Sequence, residues 1–390
     1  MESTAKSATE PVEVSFSQFT GASGVEEFNF MFTPTRYASF DKQLDWLESA
    51  YYAALSEHGL DSKSVVLSRF FCSDLPNQIT ELRKRSFSHP DSSHKGSVSV
   101  VNQPPPAPAK VCMWVYGIKD PDLPNECINN GRDCVLKRDG LEHIWTTGYI
   151  NLDSKDPYKQ THGIFGNYLK MLHSKGMTLE HNVIRTWFFV KDIDSHYWGL
   201  VEGRNDVFDT QGLTPDTHFI ASTGIEGSHI DVHAKVLMDA YAIKGVKKEQ
   251  IEFLHALDHL SHTHKYGVAF ERATSVAYKD RKHVFISGTA SIDSKGEIVH
   301  VGDVIRQFGR ALENIDALLA QAKATMDDMQ HFVVYVRDPS DAHIVHVLMK
   351  ERVGEQPFVV VTAPVCRPGW LVEIEGIAAI PYDDDSLPEF

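Results

Sequence analysis

From its amino terminus onward, the chain repeats one order of hydrophobic and polar positions three times. Apolar residues at three- and four-residue steps predict amphipathic helices over SFDKQLDWLESAYYAALSEHGL (39–60), DPYKQTHGIFGNYLKMLHSKGM (156–177) and GDVIRQFGRALENIDALLAQAK (302–323). Each is followed by a nearly continuous apolar run that closes on an aspartate: VVLSRFFCSD at Asp74, VIRTWFFVKD at Asp192 and HFVVYVRD at Asp338. A second helical pattern comes next (LPNQITELRKRSF, SHYWGLVEGRNDVF, SDAHIVHVLMKERV), and then two β-rich runs. The pairs are SVSVVNQP with KVCMWVYGI, THFIASTGI with KVLMDAYAI, and FVVVTAPV with WLVEIEGIAAI. Each unit also opens on a hairpin-like pair, plainest in ATSVAYKDRKHVFISGTASID, where polar KDRK separates β-rich flanks. The common unit is β-β-α-β-α-β-β.

Such units predict an α+β fold, with helices on one face of each mixed sheet. The other faces need cover, and three copies in one chain can bury them against one another around a pseudo-threefold axis. The expected molecule is a monomer acting as a pseudo-trimer, with further association open. Residues 11–120 form a first, degenerate unit, 133–243 a second, 244–265 a linker long enough for a short helix, and 266–390 a third. The turn-rich DPDLPNECINNGRD separates the first two units, NQPPPAPAK (102–110) punctuates the first, and residues 1–10 read as disordered. Independent domains on strings are disfavoured, because no long Gly/Ser or charged run connects the units.

Charge narrows the function. With 53 acidic against 38 basic side chains the net charge is −15, which repels a polyphosphate backbone, so nucleic acid is not an expected partner. No apolar run approaches the roughly 18–20 residues that span a bilayer, and MESTAKSATEP lacks the pattern of a secretory signal. The expectation is a cytoplasmic protein with no membrane partner. Cys72, Cys112, Cys127, Cys134 and Cys366 have scattered spacings and read as reduced thiols.

The sharpest chemical feature is APVCRPGWLVEIEGIA (363–378), which sets Glu373 and Glu375 two residues apart in an apolar strand. Alternation puts both on one face. A carboxylate there must take up a proton or find a partner, and two together push their apparent pKa values apart. The structural alternative is pairing with an arginine such as Arg367 or Arg337. The matching positions in the other units are Met113 and about Leu237, so one working site per chain is expected. Cys366 has no histidine at a local spacing and reads as a small packed thiol. Arg272, Arg185 and Arg204 are candidate cations for a carboxylate-bearing ligand, or else salt-bridge partners. His255, His259, His262 and His264 invite a metal reading, with His255 and His259 on one helical face, but no carboxylate or cysteine completes a familiar site. No metal is expected. GTASIDSKGE lacks phosphate-loop spacing, so no cofactor is implied.

The third unit resembles the RidA (YjgF) superfamily, whose small members are homotrimers with ligand sites between subunits. The resemblance is strong over about 270–381, weaker over 142–243 and faint over 12–118. Cys366, Arg367, Leu371, Val372, Glu373, Ile374 and Glu375 match the C-R-x-x-x-L-V-E-I-E run of chorismatases, and FERA (270–273), SGTASI (287–292), RTW (185–187) and the stretch holding Arg204 and Phe208 agree with it. Chorismatases cleave the enolpyruvyl ether of chorismate and release pyruvate. The resemblance implies that Glu373 is the acid and Cys366 a neighbouring group that shapes the fate of the intermediate. It also implies a substrate-binding set of Arg272, Arg185, Arg204, Phe270, Tyr266, Ser287, Arg367 and Glu375. Two departures stand out. The small imine-hydrolysing members carry an arginine fifteen residues before the first glutamate, where this chain has Phe358, and residues 226–265 do not resemble the matching chorismatase segment. Imine or enamine deamination and non-catalytic metabolite binding are the alternatives.

Overall fold

The computed structural model describes residues 11–88, 96–120, 128–129 and 132–390. The first sheet contains β1 (Val12–Thr20), β2 (Glu26–Pro34), β3 (Val65–Cys72), β4 (Ser97–Asn102) and β5 (Val111–Lys119), with helices α1 (Phe40–Glu57) and α2 (Leu75–Leu82). To the second belong β6 (Ile128–Asn129), β7 (Asp133–Arg138), β8 (Leu141–Tyr149), β9 (Val183–Val190), β10 (Ala221–Glu226) and β11 (Val236–Lys244), with α3 (Pro157–Ser174), the single-turn α4 (Leu179–Asn182) and α5 (Ile193–Thr210). The third is built from β12 (Ile251–Leu254), β13 (Ala273–Ala277), β14 (Arg281–Ala290), β15 (Met329–Val336), β16 (Phe358–Thr362) and β17 (Val372–Pro381), with α6 (Val304–Gln321) and α7 (Ala342–Val353).

The strand orders β1-β2-β5-β3-β4, β6-β7-β8-β11-β9-β10 and β12-β13-β14-β17-β15-β16 repeat one topology. In each sheet a single pair is parallel (β3 with β4, β9 with β10, β15 with β16), and the intervening helix α2, α5 or α7 makes the crossover such a pair needs. Helix α6 shows why the pattern folds this way. Asp303 caps its first turn by accepting from Arg306 N, and Phe308, Ala311, Leu312, Ile315, Leu318 and Leu319 bury one stripe.

Residues 251–254 depart from expectation. They form the edge strand β12, paired with β13 from Ile251↔Val276 to Leu254↔Ala273, where a short helix was anticipated. Pairing with an open sheet edge outweighed the local helical reading. Hence His255 and His259 share no helical face. Cys72, Cys112 and Cys366 are free, whereas Cys134 is disulfide-bonded, which corrects the reduced reading for that residue. Cys127, residues 1–10 and most of DPDLPNECINNGRD lie outside the described residues.

The sheets close into a ring: β4 lies against β8, β10 against β14, and β15 and β16 against β1 and β2. At one end the chain ties the three together in turn, through the bridges Asn102↔Ser228 and Ile225↔Val365 and the bond from Thr362 N to Pro104 O (2.7 Å). Each seam carries a buried ion pair: Arg281 of β14 holds Glu27 of β2 at 2.6 Å between the third and first sheets, and at the other two seams the acids, though not the arginines, stand in equivalent register. Asp239 of β11 holds Arg69 of β3 at 3.0 Å, and Glu375 of β17 holds Arg185 of β9 at 2.7 Å. Trp114 of β5 takes that register position in the first sheet, opposite Arg69. No helix among the described residues is long and apolar enough to cross a membrane.

Candidate active site

The seam between the second and third sheets opens into a cavity of about 510 Å³ counted to its mouth. One wall is β10 with α5. The other is formed by β14, β17 and the loops carrying Tyr266 to Arg272 and Cys366 to Trp370. Because β17 alternates, Glu373 and Glu375 face the same way, yet the structure separates their surroundings. Glu375 is enclosed: Arg185 Nη2, Trp187 Nε1 (3.0 Å), Tyr335 OH (3.0 Å) and the Thr223 hydroxyl all donate to it. Glu373 lines the cavity and, among the described residues, makes no hydrogen bond. Burial, then the neighbouring charge of Glu375, pushes its pKa up to about 8, against the opposing pull of Arg185 and Arg272. Gly288 makes room for it, since a Cβ there would stand 2.2 Å from Glu373 Oε1.

Three guanidinium groups share this cavity. Arg204, 2% exposed on α5, has neither Nε nor Nη2 hydrogen-bonded among the described residues. Arg272 donates from Nε and Nη2 to Ser261 O (3.2 and 3.0 Å) and from Nη2 to Tyr266 OH (2.5 Å). Arg367 lies over the rings of Tyr266 (4.7 Å) and Trp370 (5.0 Å). Burial holds Arg204 and Arg272 below the ordinary arginine pKa, the signature of cations short of solvent and counter-charge. Cys366 is pushed up to about 12, chiefly by burial and then by Glu373, so it is a neutral thiol at physiological pH.

Seven of the ten residues singled out from the sequence thus line one cavity: Glu373, Cys366, Arg272, Arg204, Phe270, Tyr266 and Arg367. The other three stand outside its lining. Arg185 and Glu375 are consumed by their mutual ion pair. Ser287 is buried, donating to Glu271 O (2.6 Å) and accepting from Ser222 N (2.9 Å). The register also moves one equivalence: Glu373 faces Tyr335, as Cys112 faces Phe71 and Leu237 faces Phe189, so the first-sheet counterpart is Cys112, not Met113. Sequence reasoning missed Tyr197, Thr223, Gly288 and Trp370. Tyr197 was within reach, because it precedes Arg204 by seven residues, two turns of one helix face. It sits against both Arg204 and Cys366.

Residues 269–380 match the Ribonuc_L-PSP (Endoribonuclease L-PSP) family. The chain is 25% identical over 272 residues to the 3-hydroxybenzoate synthase of Streptomyces hygroscopicus, spanning 62% of this chain and 77% of that one. It is 31% identical over 220 residues to the chorismatase of Streptomyces rapamycinicus, spanning 51% of this chain and 64% of that one. A RutC family protein of Pyrococcus abyssi is 36% identical over 107 residues, 27% of this chain and 84% of its own. A chorismatase crystal structure shares the fold, with a TM-score of 0.60 at 21% identity over 81% of this chain and 93% of that one.

Proposed function

We propose, from the premise that this chain belongs to the RidA superfamily and is chorismatase-like within it, that it is an enzyme which protonates and cleaves the enolpyruvyl ether of chorismate or a related unsaturated acid. The observation that carries this reading is a glutamic acid held neutral near pH 7 in a cavity lined by three arginines. An enol ether is weakly basic at its methylene carbon, and a carboxylic acid with a pKa near the working pH is suited to protonating it. Glu373 gives its proton to that carbon, and the electron pair of the double bond forms the new C–H bond. The resulting oxocarbenium ion is trapped by water, or by a hydroxyl of the substrate. With water, the hemiketal collapses with cleavage of its C–O bond to the ring, releasing pyruvate and the ring alcohol, and the proton lost returns to Glu373. Arg204, Arg272 and Arg367 bind the substrate carboxylates, a carboxylate-bearing small molecule being the partner that the cavity fits. Cys366, beside Glu373 and Tyr197, is a neutral neighbour of the intermediate.

Imine or enamine deamination is the less favoured reading. The cavity wall comes from β10, where Ser222 faces Thr186 as Phe358 faces Phe332 in the third sheet, and neither position supplies an arginine. Incubation with chorismate, with products followed by mass spectrometry, tests the proposal. Pyruvate should appear with the natural chain and fall by about 10²–10⁴-fold in Glu373→Gln, the usual weight of general acid catalysis. Silence from both would overturn it. Ammonia from an iminoacid would favour the deaminase, and saturable binding without turnover would favour a metabolite-binding protein.

A further inference from the structure

A separate cavity of about 470 Å³ lies inside the ring, walled by all three sheets and sharing no residue with the Glu373 cavity. The strand registers account for it. Tyr116 of β5, Tyr241 of β11 and Ile377 of β17 are equivalent, each four residues beyond the set Cys112, Leu237 and Glu373, and they face Leu67, Arg185 and His331 across their ladders. Two residues further on the equivalent set is Ile118, Ile243 and Ala379, facing Glu27, His143 and His283. At both levels the third sheet carries the smaller side chain, so the inward faces do not fill the space between them. Ile377 and Ala379 both border the void that results.

The wall is aromatic. Trp114, Tyr116, Trp145, Trp187, Tyr241 and Phe285 border the cavity, and Trp145 stacks on Tyr241 with ring centres 5.1 Å apart, a spacing at which planar rings attract. The charged group in the wall is satisfied from within: Glu27 Oε1 accepts from Arg281 Nη1 (2.6 Å) and stands 2.9 Å from His283 Nε2, while Oε2 accepts from Tyr116 OH. The indoles of Trp114 and Trp187 donate to Asn29 Oδ1 and Glu375 Oε1, both at 3.0 Å. An added charge would lose its water here and meet no counter-charge, so the space suits an uncharged ligand. One polar atom is left over. Gln330, a wall residue only 8% exposed, spends its Nε2 on Asp328 O (3.0 Å), and its Oε1 has no hydrogen-bond partner among the described residues. Apolar walls with a few polar groups that fix orientation are the form of a small-molecule site.

We infer that this cavity binds one small, planar, uncharged aromatic molecule bearing an N–H or O–H group, held among the Trp and Tyr rings and donating to Gln330 Oε1. The inference does not depend on the reaction at Glu373. Its test is calorimetric titration of the full chain with indole. One indole per chain should bind. Ala379→Ile, which restores the side chain that the other two sheets carry, should weaken binding by about tenfold or more, because the added atoms occupy the void. Gln330→Leu should weaken it by about three- to tenfold, the weight of one hydrogen bond. Should Ala379→Ile fail to fold, as judged by its urea midpoint, the smaller change Ala379→Val serves instead. No binding by the natural chain, undiminished binding by a folded Ala379 variant, or equal affinity in Gln330→Leu would overturn the inference.

Discussion

Arg185 Nη2 lies 2.7 Å from Glu375 Oε2, and this fully buried pair joins the second sheet to the third. It also explains how two glutamates on one strand face come to differ. Glu375 is spent on the pair and on donors from Trp187, Tyr335 and Thr223, while for Glu373, two residues away, burial and the like charge of Glu375 outweigh the pull of Arg185 and Arg272. The clamp that holds the seam therefore also sets the proton of the neighbouring acid.

That proton fixes the sign of the pH dependence. The pKa of Glu373 is raised from 4.5 to about 8, so the proton-donating form prevails below pH 8, and kcat/KM for an enolpyruvyl substrate should fall about tenfold per unit above it. Stability follows the same sign. The folded chain holds a proton that the unfolded chain releases between these pKa values, so the contribution is fully present below 4.5 and is lost as pH rises through 8. The slope is on the order of 1.4 kcal/mol per pH unit. Urea unfolding at pH 5 and pH 8 should show this loss in the natural chain and not in Glu373→Gln; equal losses in both would refute the assignment.

Removing one partner of the seam pair should be costly. Arg185→Met leaves the Glu375 carboxylate buried without its cation, which costs about 3–5 kcal/mol, whereas Arg185→Met combined with Glu375→Leu should recover much of that loss. Denaturant midpoints of the two variants decide it. A double variant no more stable than the single would show that the pair is worth more than its desolvation.

Much of this fold was legible in the sequence because each unit repeats its periodicities. The three long helices, the strands ending near Asp74, Asp192 and Asp338, and the glutamates of β17 all follow from pattern and spacing. What escaped depends on contacts between units. Thr223 lies 150 residues from Glu373 in the chain and meets its wall only across the seam, and Arg185 could not be known to belong to Glu375 rather than to a ligand. β12 was invisible for a related reason, since its ladder partner β13 lies 19 to 25 residues on, from Leu254↔Ala273 to Ile251↔Val276.

Cys366 offers a check on the electrostatics. Burial and the adjacent Glu373 push the thiol up to about 12, so almost no thiolate exists at pH 8. Iodoacetamide at pH 8 should leave Cys366 unmodified under conditions that label an ordinary exposed thiol, as read by peptide mass spectrometry. Cys366→Ala should still release pyruvate while changing the ratio of ring products. Fast alkylation, or complete loss of pyruvate in the variant, would instead mark a nucleophile.

The three-lobed ring raises the question of how many sites it keeps. Position 373 is glutamate in β17, but the residues in equivalent register are Cys112 in β5 and Leu237 in β11, neither of which is a proton donor near neutral pH. The cation set is also tied to one seam: Arg204 comes from α5, Arg272 and Arg367 from the third unit, and all line the Glu373 cavity. A non-reactive aromatic dicarboxylate should therefore bind with a stoichiometry of one per chain in calorimetry. Arg204 has two buried nitrogens without partners among the described residues, so a carboxylate that reaches them gains a charge-assisted hydrogen bond worth roughly 1.5–3 kcal/mol. Arg204→Ala should then weaken binding by about ten- to a hundredfold. A stoichiometry near three, or an unaltered affinity in Arg204→Ala, would place ligand binding elsewhere in the ring.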